Sequence, residues 1–309
     1  MRKSRKRGAG GKSTSTKAKS LIPYMGGKYK LLPKILSLIR FATVHHGLTS
    51  YREWCGGSGK VLMNLPPDLF EEERWYNDLN VGLAQLMAAV GDPEGVYALQ
   101  DILFERDIGE GVFLTAKEEE LMGENVSIMM SAANAFILST QSYAASMKSY
   151  DPSLDWDLDR IAAYYARIEK LASFQEILDG IKVTSRNCLE LLEECQHDDH
   201  AICFLDPPYT PEAMRGQNHY GERSWGVWEH QMLVMLLLET EMQVVLSGYD
   251  TAHYLPLEEA GWNKIHLGEI AVTSSGAARA RANEFVWINF DIPDELLAKV
   301  SEPAPEIHW

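Results

Sequence analysis

Seven short segments of this chain are apolar, β-branched or aromatic enough to read as strands: Tyr51–Trp54, Arg74–Asn77, Ile181–Ser185, Ala201–Leu205, Val244–Ser247, Lys264–Val272 and Glu284–Phe290. Helical spacing falls between most of them, at Tyr29–Ile39, Leu79–Val90, Leu189–Cys195 and His230–Glu241. Strands alternating with helices can close their hydrogen bonds only as a mainly parallel sheet with helices on both faces, so the fold class is α/β. The last two strands leave no room for a helix between them and are expected to form an antiparallel hairpin at one edge. Residues 91–175 break the alternation. They hold helical stretches such as Ser127–Ser139 and Leu158–Ile177 and no strand pattern. Some 85 residues exceed a single crossover, so 91–175 is expected to be an inserted helical subdomain. Residues 21–90 and 176–309 then make up the α/β domain.

Charge divides the chain differently. Residues 1–20 carry eight cations and no acid, and against a total of −15 this leaves −23 on the remainder. A segment of Lys and Arg spaced by Gly, Ser and Thr cannot bury a core and is expected to be a disordered arm suited to a polyanion; a solubility tail is the plainer alternative. The same segment contains Gly8–Thr14, GAGGKST, which imitates a phosphate-binding loop. The required first glycine would stand at position 6, which is Lys, and no strand precedes it. No apolar run reaches the length of a membrane span. The cysteines at 55, 188, 195 and 203 form no C-x-x-C pair, which reads as a reduced, cytoplasmic chain without structural zinc.

Three places carry candidate chemistry. The stretch EWCGGSGKVL, Glu53–Leu62, follows a strand and is expected to open a helix, whose N–H groups and glycine backbone would admit a ligand closely. About twenty residues on, Asp78 ends the next strand, where an acid of a doubly wound sheet binds ribose hydroxyls; as an alternative it caps the following helix. Glu53, beside the glycine turn, can make a surface ion pair or accept from a cationic amine. The third place is FLDPPYTP. Asp206 ends a strand, Pro207 and Pro208 offer carbonyls on a rigid backbone, and Tyr209 adds a flat face. Two acceptors and one aromatic face suit a flat ring bearing an exocyclic amine. The segment after the corner, with Arg215, Asn218, His219, Tyr220, Arg223 and Trp225, is a candidate flap around such a ring, and Arg279 and Arg281 are candidate phosphate contacts. His219 has no partner at metal-site spacing, so no metal site is expected.

Taken in order, PYMGGK, EWCGGSG, YNDLN, DPPY and VVLSGYDT resemble the motifs of the Dam-type N6-adenine DNA methyltransferases, over about residues 21–290. The resemblance implies a Rossmann-like methyltransferase sheet, S-adenosylmethionine as cofactor, double-stranded DNA as partner, and a bacterial or phage-infected host. Residue by residue, it implies that Tyr24, Gly26, Gly27 and Lys28 contact the cofactor. It implies the same for Glu53, Cys55, Gly56, Gly57, Ser58 and Gly59. Asp78 would hold the ribose, and Asp206, Pro207, Pro208 and Tyr209 would form the catalytic corner, with Asp206 also contacting the cofactor. The helical insert would take part in target recognition, and Arg215, Asn218, Tyr220, Arg223, Arg279 and Arg281 would meet DNA. The chain departs from the family where Glu53-Trp54-Cys55 replaces Glu-Pro-Phe. It departs again where Asn187-Cys188 replaces an acid and an aromatic that hold the cofactor's adenine. Asn187 can still accept through its amide oxygen and Cys188 can pack as a small hydrophobe. Cytosine-N4 methylation and a catalytically weakened DNA-binding homologue are the other readings.

Overall fold

The computed structural model describes residues 18–24, 30–123, 126–209, 225–271 and 281–301. The basic arm up to residue 17, Gly26, Gly27 and Lys28, most of the flap segment, and Arg279 lie outside the described residues.

Seven strands form one sheet: β1 (Ser50–Trp54), β2 (Glu73–Asn77), β3 (Lys182–Thr184), β4 (Ala201–Leu205), β5 (Gln243–Tyr249), β6 (Asn263–Ala271) and β7 (Arg281–Ile288). Their order is β3-β2-β1-β4-β5-β7-β6. The first five run parallel. β7 lies antiparallel between β5 and β6, so the expected hairpin is present and β6 is the outer strand. β1 and β4 are buried along their whole length, as central parallel strands covered on both faces must be.

Side chains alternate across the sheet. Ile202 and Phe204 of β4 join the larger apolar cluster on one face, while Ala201, Cys203 and Leu205 join the other. The first face is covered by α1 (Leu32–His46), α2 (Val81–Gly91), α3 (Gly95–Arg106), α4 (Glu110–Met122), α5 (Ile128–Thr140), α6 (Leu158–Glu169) and α7 (Gln175–Leu178). The second face is covered by α8 (Cys188–Cys195), α9 (Val227–Glu239) and α10 (Leu255–Glu259). A last helix, α11 (Asp294–Ser301), packs near α1 and β6. α5 is buried without interruption from Ala132 to Ser139 and lies on α2. Its apolar side chains belong to the same core cluster as those of α1 and β4.

Two local expectations are corrected. The glycine stretch opens turns and a short 3₁₀ helix at Leu62–Asn64 rather than an α-helix. Left-handed backbone at Gly57 and Gly59 and the following Pro66-Pro67 leave no uninterrupted helical run. The helix after β2 starts at Val81, and its N-cap is Asn80, whose Oδ1 accepts from the Leu83 N–H at 3.3 Å. Asp78 is therefore not that cap.

Candidate active site at the carboxyl ends of three adjacent strands

Register builds the site. Trp54 of β1 pairs with Asn77 of β2 on one side and with Leu205 of β4 on the other. The next residue along each strand is Cys55, Asp78 and Asp206. Three positions 151 residues apart at the extremes thus stand in one row, at the point where strand order reverses. A cleft enclosing about 1000 Å³, solvent included, opens above this row.

The glycine loop is shaped to leave backbone bare there. Gly57 has φ +52°, and a Cβ on it would stand 2.8 Å from the Tyr24 ring. A Cβ on Gly56 would meet the Tyr76 ring at 2.3 Å. Neither position admits a side chain without moving an aromatic ring. Tyr76 also donates its hydroxyl to the Gly57 carbonyl at 2.6 Å, and Asp78 Oδ2 accepts from the Gly57 N–H at 2.7 Å. The other Asp78 oxygen accepts from the Asn80 N–H at 2.8 Å. Cys55 stands at φ +71°, a costly conformation for a residue with a side chain, directly at the mouth of the loop.

Glu53 lies under the loop, only 1% exposed. It accepts from the Tyr51 hydroxyl at 2.8 Å and from the Leu62 N–H at 2.5 Å. Burial raises its pKa to about 8. Repulsion from Asp206 adds to this, and the donated hydrogen bonds only partly offset it. Near pH 7 the group thus holds its proton. The surface ion pair is excluded by its burial.

On the far wall, Asn187 caps α8 by accepting from the Leu189 N–H at 3.1 Å, so one lone pair of its amide oxygen is engaged. Cys188 is buried, and its Sγ lies 3.3 Å from Cys55 Sγ. That contact, with burial, holds the Cys55 thiol well above its ordinary range, so it is no ready nucleophile.

At the third strand, Tyr209 is buried by two neighbours that the sequence reading did not assign to the site. Its ring stacks on Tyr249 with centroids 4.1 Å apart, and its hydroxyl donates to Glu284 Oε1 at 2.9 Å. Asp206 Oδ1 is the second oxygen near that hydroxyl, at 3.4 Å.

Of the residues expected at a cofactor, Tyr24, Glu53, Cys55, Gly56, Gly57, Ser58, Asp78, Asn187, Cys188 and Asp206 line the cleft, together with Pro208. Gly59 does not; its bare Cα makes room for the Met87 methyl. Pro207 and Tyr209 stand beside the lining, and Arg281 begins β7. Trp225, read as part of a flap, is a wall of the cleft. Lys60, Arg186 and Phe204 line it as well, though the sequence reading gave them no role.

A glycine loop and two carboxylates at adjacent strand ends, above a switch point, define a ligand-dependent α/β enzyme with its cleft where such sheets bind cofactors. The family model for D12 class N6 adenine-specific DNA methyltransferases matches residues 24–265. The chain belongs to that family and is an adenine-specific DNA methyltransferase. Comparison with curated proteins returns no match. Among the described residues no helix is long and apolar enough to cross a membrane.

Proposed function

We propose that the chain uses S-adenosylmethionine to methylate the N6 amine of an adenine flipped out of double-stranded DNA, by direct transfer. The observation that carries this is the single row of Cys55, Asp78 and Asp206, which sets a cofactor cradle and an amine acceptor side by side. The cradle fits the cofactor: bare backbone at Gly56 and Gly57, a carboxylate for ribose at Asp78, and a buried carboxylate at Glu53 for the amino group. When bound, the cofactor supplies an electrophilic methyl group.

The chain's own residues do the rest. The lone pair of an aromatic amine is delocalised into the ring and attacks poorly. Asp206 and the Pro207 carbonyl accept the two amine hydrogens, which favours a pyramidal nitrogen with its lone pair directed at the methyl group. Positioned acceptors replace a covalent intermediate. Flipping costs a few kcal/mol. Stacking on Tyr209 returns about 1–3 kcal/mol. Tyr249 backs one face of that ring. Target recognition falls to the helical insert and to the segment after Tyr209. Duplex DNA incubated with labelled cofactor and digested to nucleosides should contain N6-methyladenine. Label in N4-methylcytosine alone, or in neither, overturns the reading.

Glu53 makes the cofactor step pH-dependent. In the free protein it holds a proton until about pH 8. A cationic ammonium needs the carboxylate, so binding near neutral pH releases about one proton. Affinity should rise with pH toward about 8, where α-amino groups begin to lose their own charge. The same shift works against the fold: the unfolded chain releases this proton from its ordinary 4.5 upward. The contribution therefore becomes more destabilising as pH rises from 4.5 to about 8 and levels off above. Calorimetry in two buffers of different ionisation enthalpy counts the proton. Glu53→Gln should abolish the release, and wild-type binding without release would remove Glu53 from the amine site.

The basic arm is assigned to DNA phosphates. Each phosphate neutralised steepens log affinity against log salt by about 0.9, and an arm engaging part of its eight cations contributes about 3–5. Deleting residues 1–19 should reduce the slope by that amount and leave the methylated sequence unchanged, because phosphate contacts carry no sequence information. Equal slopes for both proteins would make the arm a bystander.

A further inference from the structure

β5 and β7 run antiparallel with Tyr249 opposite Glu284. Side chains alternate along a strand, so Ser247 and Tyr249 share one face of β5, and Glu284 stands on the same face of β7. All three converge on Tyr209. Tyr249 stacks on its ring, while Ser247 Oγ and the Tyr209 hydroxyl both donate to Glu284 Oε1 at 2.9 Å. Glu284 is fully buried, and a carboxylate is costly to place there. It also lies beyond residue 265, where the family match ends.

A phenol has one proton to give. The Tyr209 hydroxyl stands between two carboxylates, 2.9 Å from Glu284 and 3.4 Å from Asp206. If that proton turned to Asp206, it would compete with the amine hydrogen that the proposed mechanism gives to that carboxylate. The closer carboxylate decides the competition.

We propose that Glu284 is a positioning residue: it takes the Tyr209 proton and so keeps it off Asp206. This rests on Asp206 being the amine acceptor. Removing Glu284 then harms the reaction through Tyr209, and removing the Tyr209 hydroxyl as well should repair the harm.

The test is a double-mutant cycle in adenine methylation with Glu284→Leu and Tyr209→Phe. Glu284→Leu should lower kcat by about 10- to 100-fold, the range that a hydrogen bond to a charged group decides. KM for cofactor should stay close to that of the unaltered protein. The double variant should recover at least tenfold over Glu284→Leu alone, and a merely structural acid would show no such recovery. Glu284→Gln, which keeps the shape and one acceptor oxygen, should lose less than Glu284→Leu and also gain from Tyr209→Phe. If the Leu variants do not fold, the Gln pair decides by the same criterion. A double variant no better than its Glu284 parent, or losses that simply multiply, overturns the inference while the unaltered protein still methylates adenine. Absence of methylation by the unaltered protein is instead the failure of the proposed function.

Discussion

Asp206→Ala should lower turnover by about 100- to 1000-fold, the loss typical when one preorganised polar partner of the reacting group is removed. Duplex affinity should change little, because Asp206 stands at the floor of a cleft and not on the arm or the basic loops. The Tyr209 ring should stay in place, held by Tyr249 and Glu284. Cofactor binding near neutral pH should not weaken. Loss of the Asp206 charge removes one of the causes that raise the Glu53 pKa, so Glu53 ionises more readily. Single-turnover measurements with saturating cofactor and DNA isolate the chemical step. A variant within threefold of the unaltered protein would sink the mechanism. A collapse of cofactor affinity would instead show that Asp206 serves the cleft.

Asp78→Ala should have the largest effect on cofactor affinity. It removes the proposed ribose acceptor and frees the Gly57 N–H that the carboxylate now holds at 2.7 Å. Hydrogen bonds to a charged group are worth about 1.5–3 kcal/mol each, so the dissociation constant should rise about 100-fold. Turnover at saturating cofactor should change far less. Asp78→Asn separates the two roles. Its amide oxygen can still accept from Gly57, so the loop stays pinned, while the charge that strengthens ribose binding is gone. Equal affinity of Asp78→Asn and the unaltered protein would leave Asp78 as a loop clamp only.

All seven strands, and α2, α5, α6, α8 and α9 among the helices, were legible because each is written in a window of about ten residues, whereas α3, α4 and α10 were not read. Ala201–Leu205 reads as a strand from its own five side chains, and the structure ends that strand at the same residue. The errors were also local. Pro66-Pro67 and the left-handed glycines deny a helix after the loop, and Asn80 rather than Asp78 satisfies the first N–H groups of α2. Both candidates for that cap carry the right side chain, and only the backbone path chooses between them.

By itself, the sequence determined the alternation that makes a parallel sheet, the bare glycine loop, the acid after β2 and the rigid Asp-Pro-Pro-Tyr corner. Each depends on neighbours along the chain. Tertiary structure decided which of them meet. Strand order and register place Cys55, Asp78 and Asp206 in one row. α5 and α6 hold the segment carrying Tyr24, through Ser139 to the Pro23 carbonyl and Arg167 to the Leu21 carbonyl. Glu284 reaches Tyr209 across 75 residues because β7 turns back between β5 and β6. Hydrophobic periodicity specifies which face of an element is buried. It carries no mark of which buried polar group will stand opposite, and that pairing exists only once the strands have found their order.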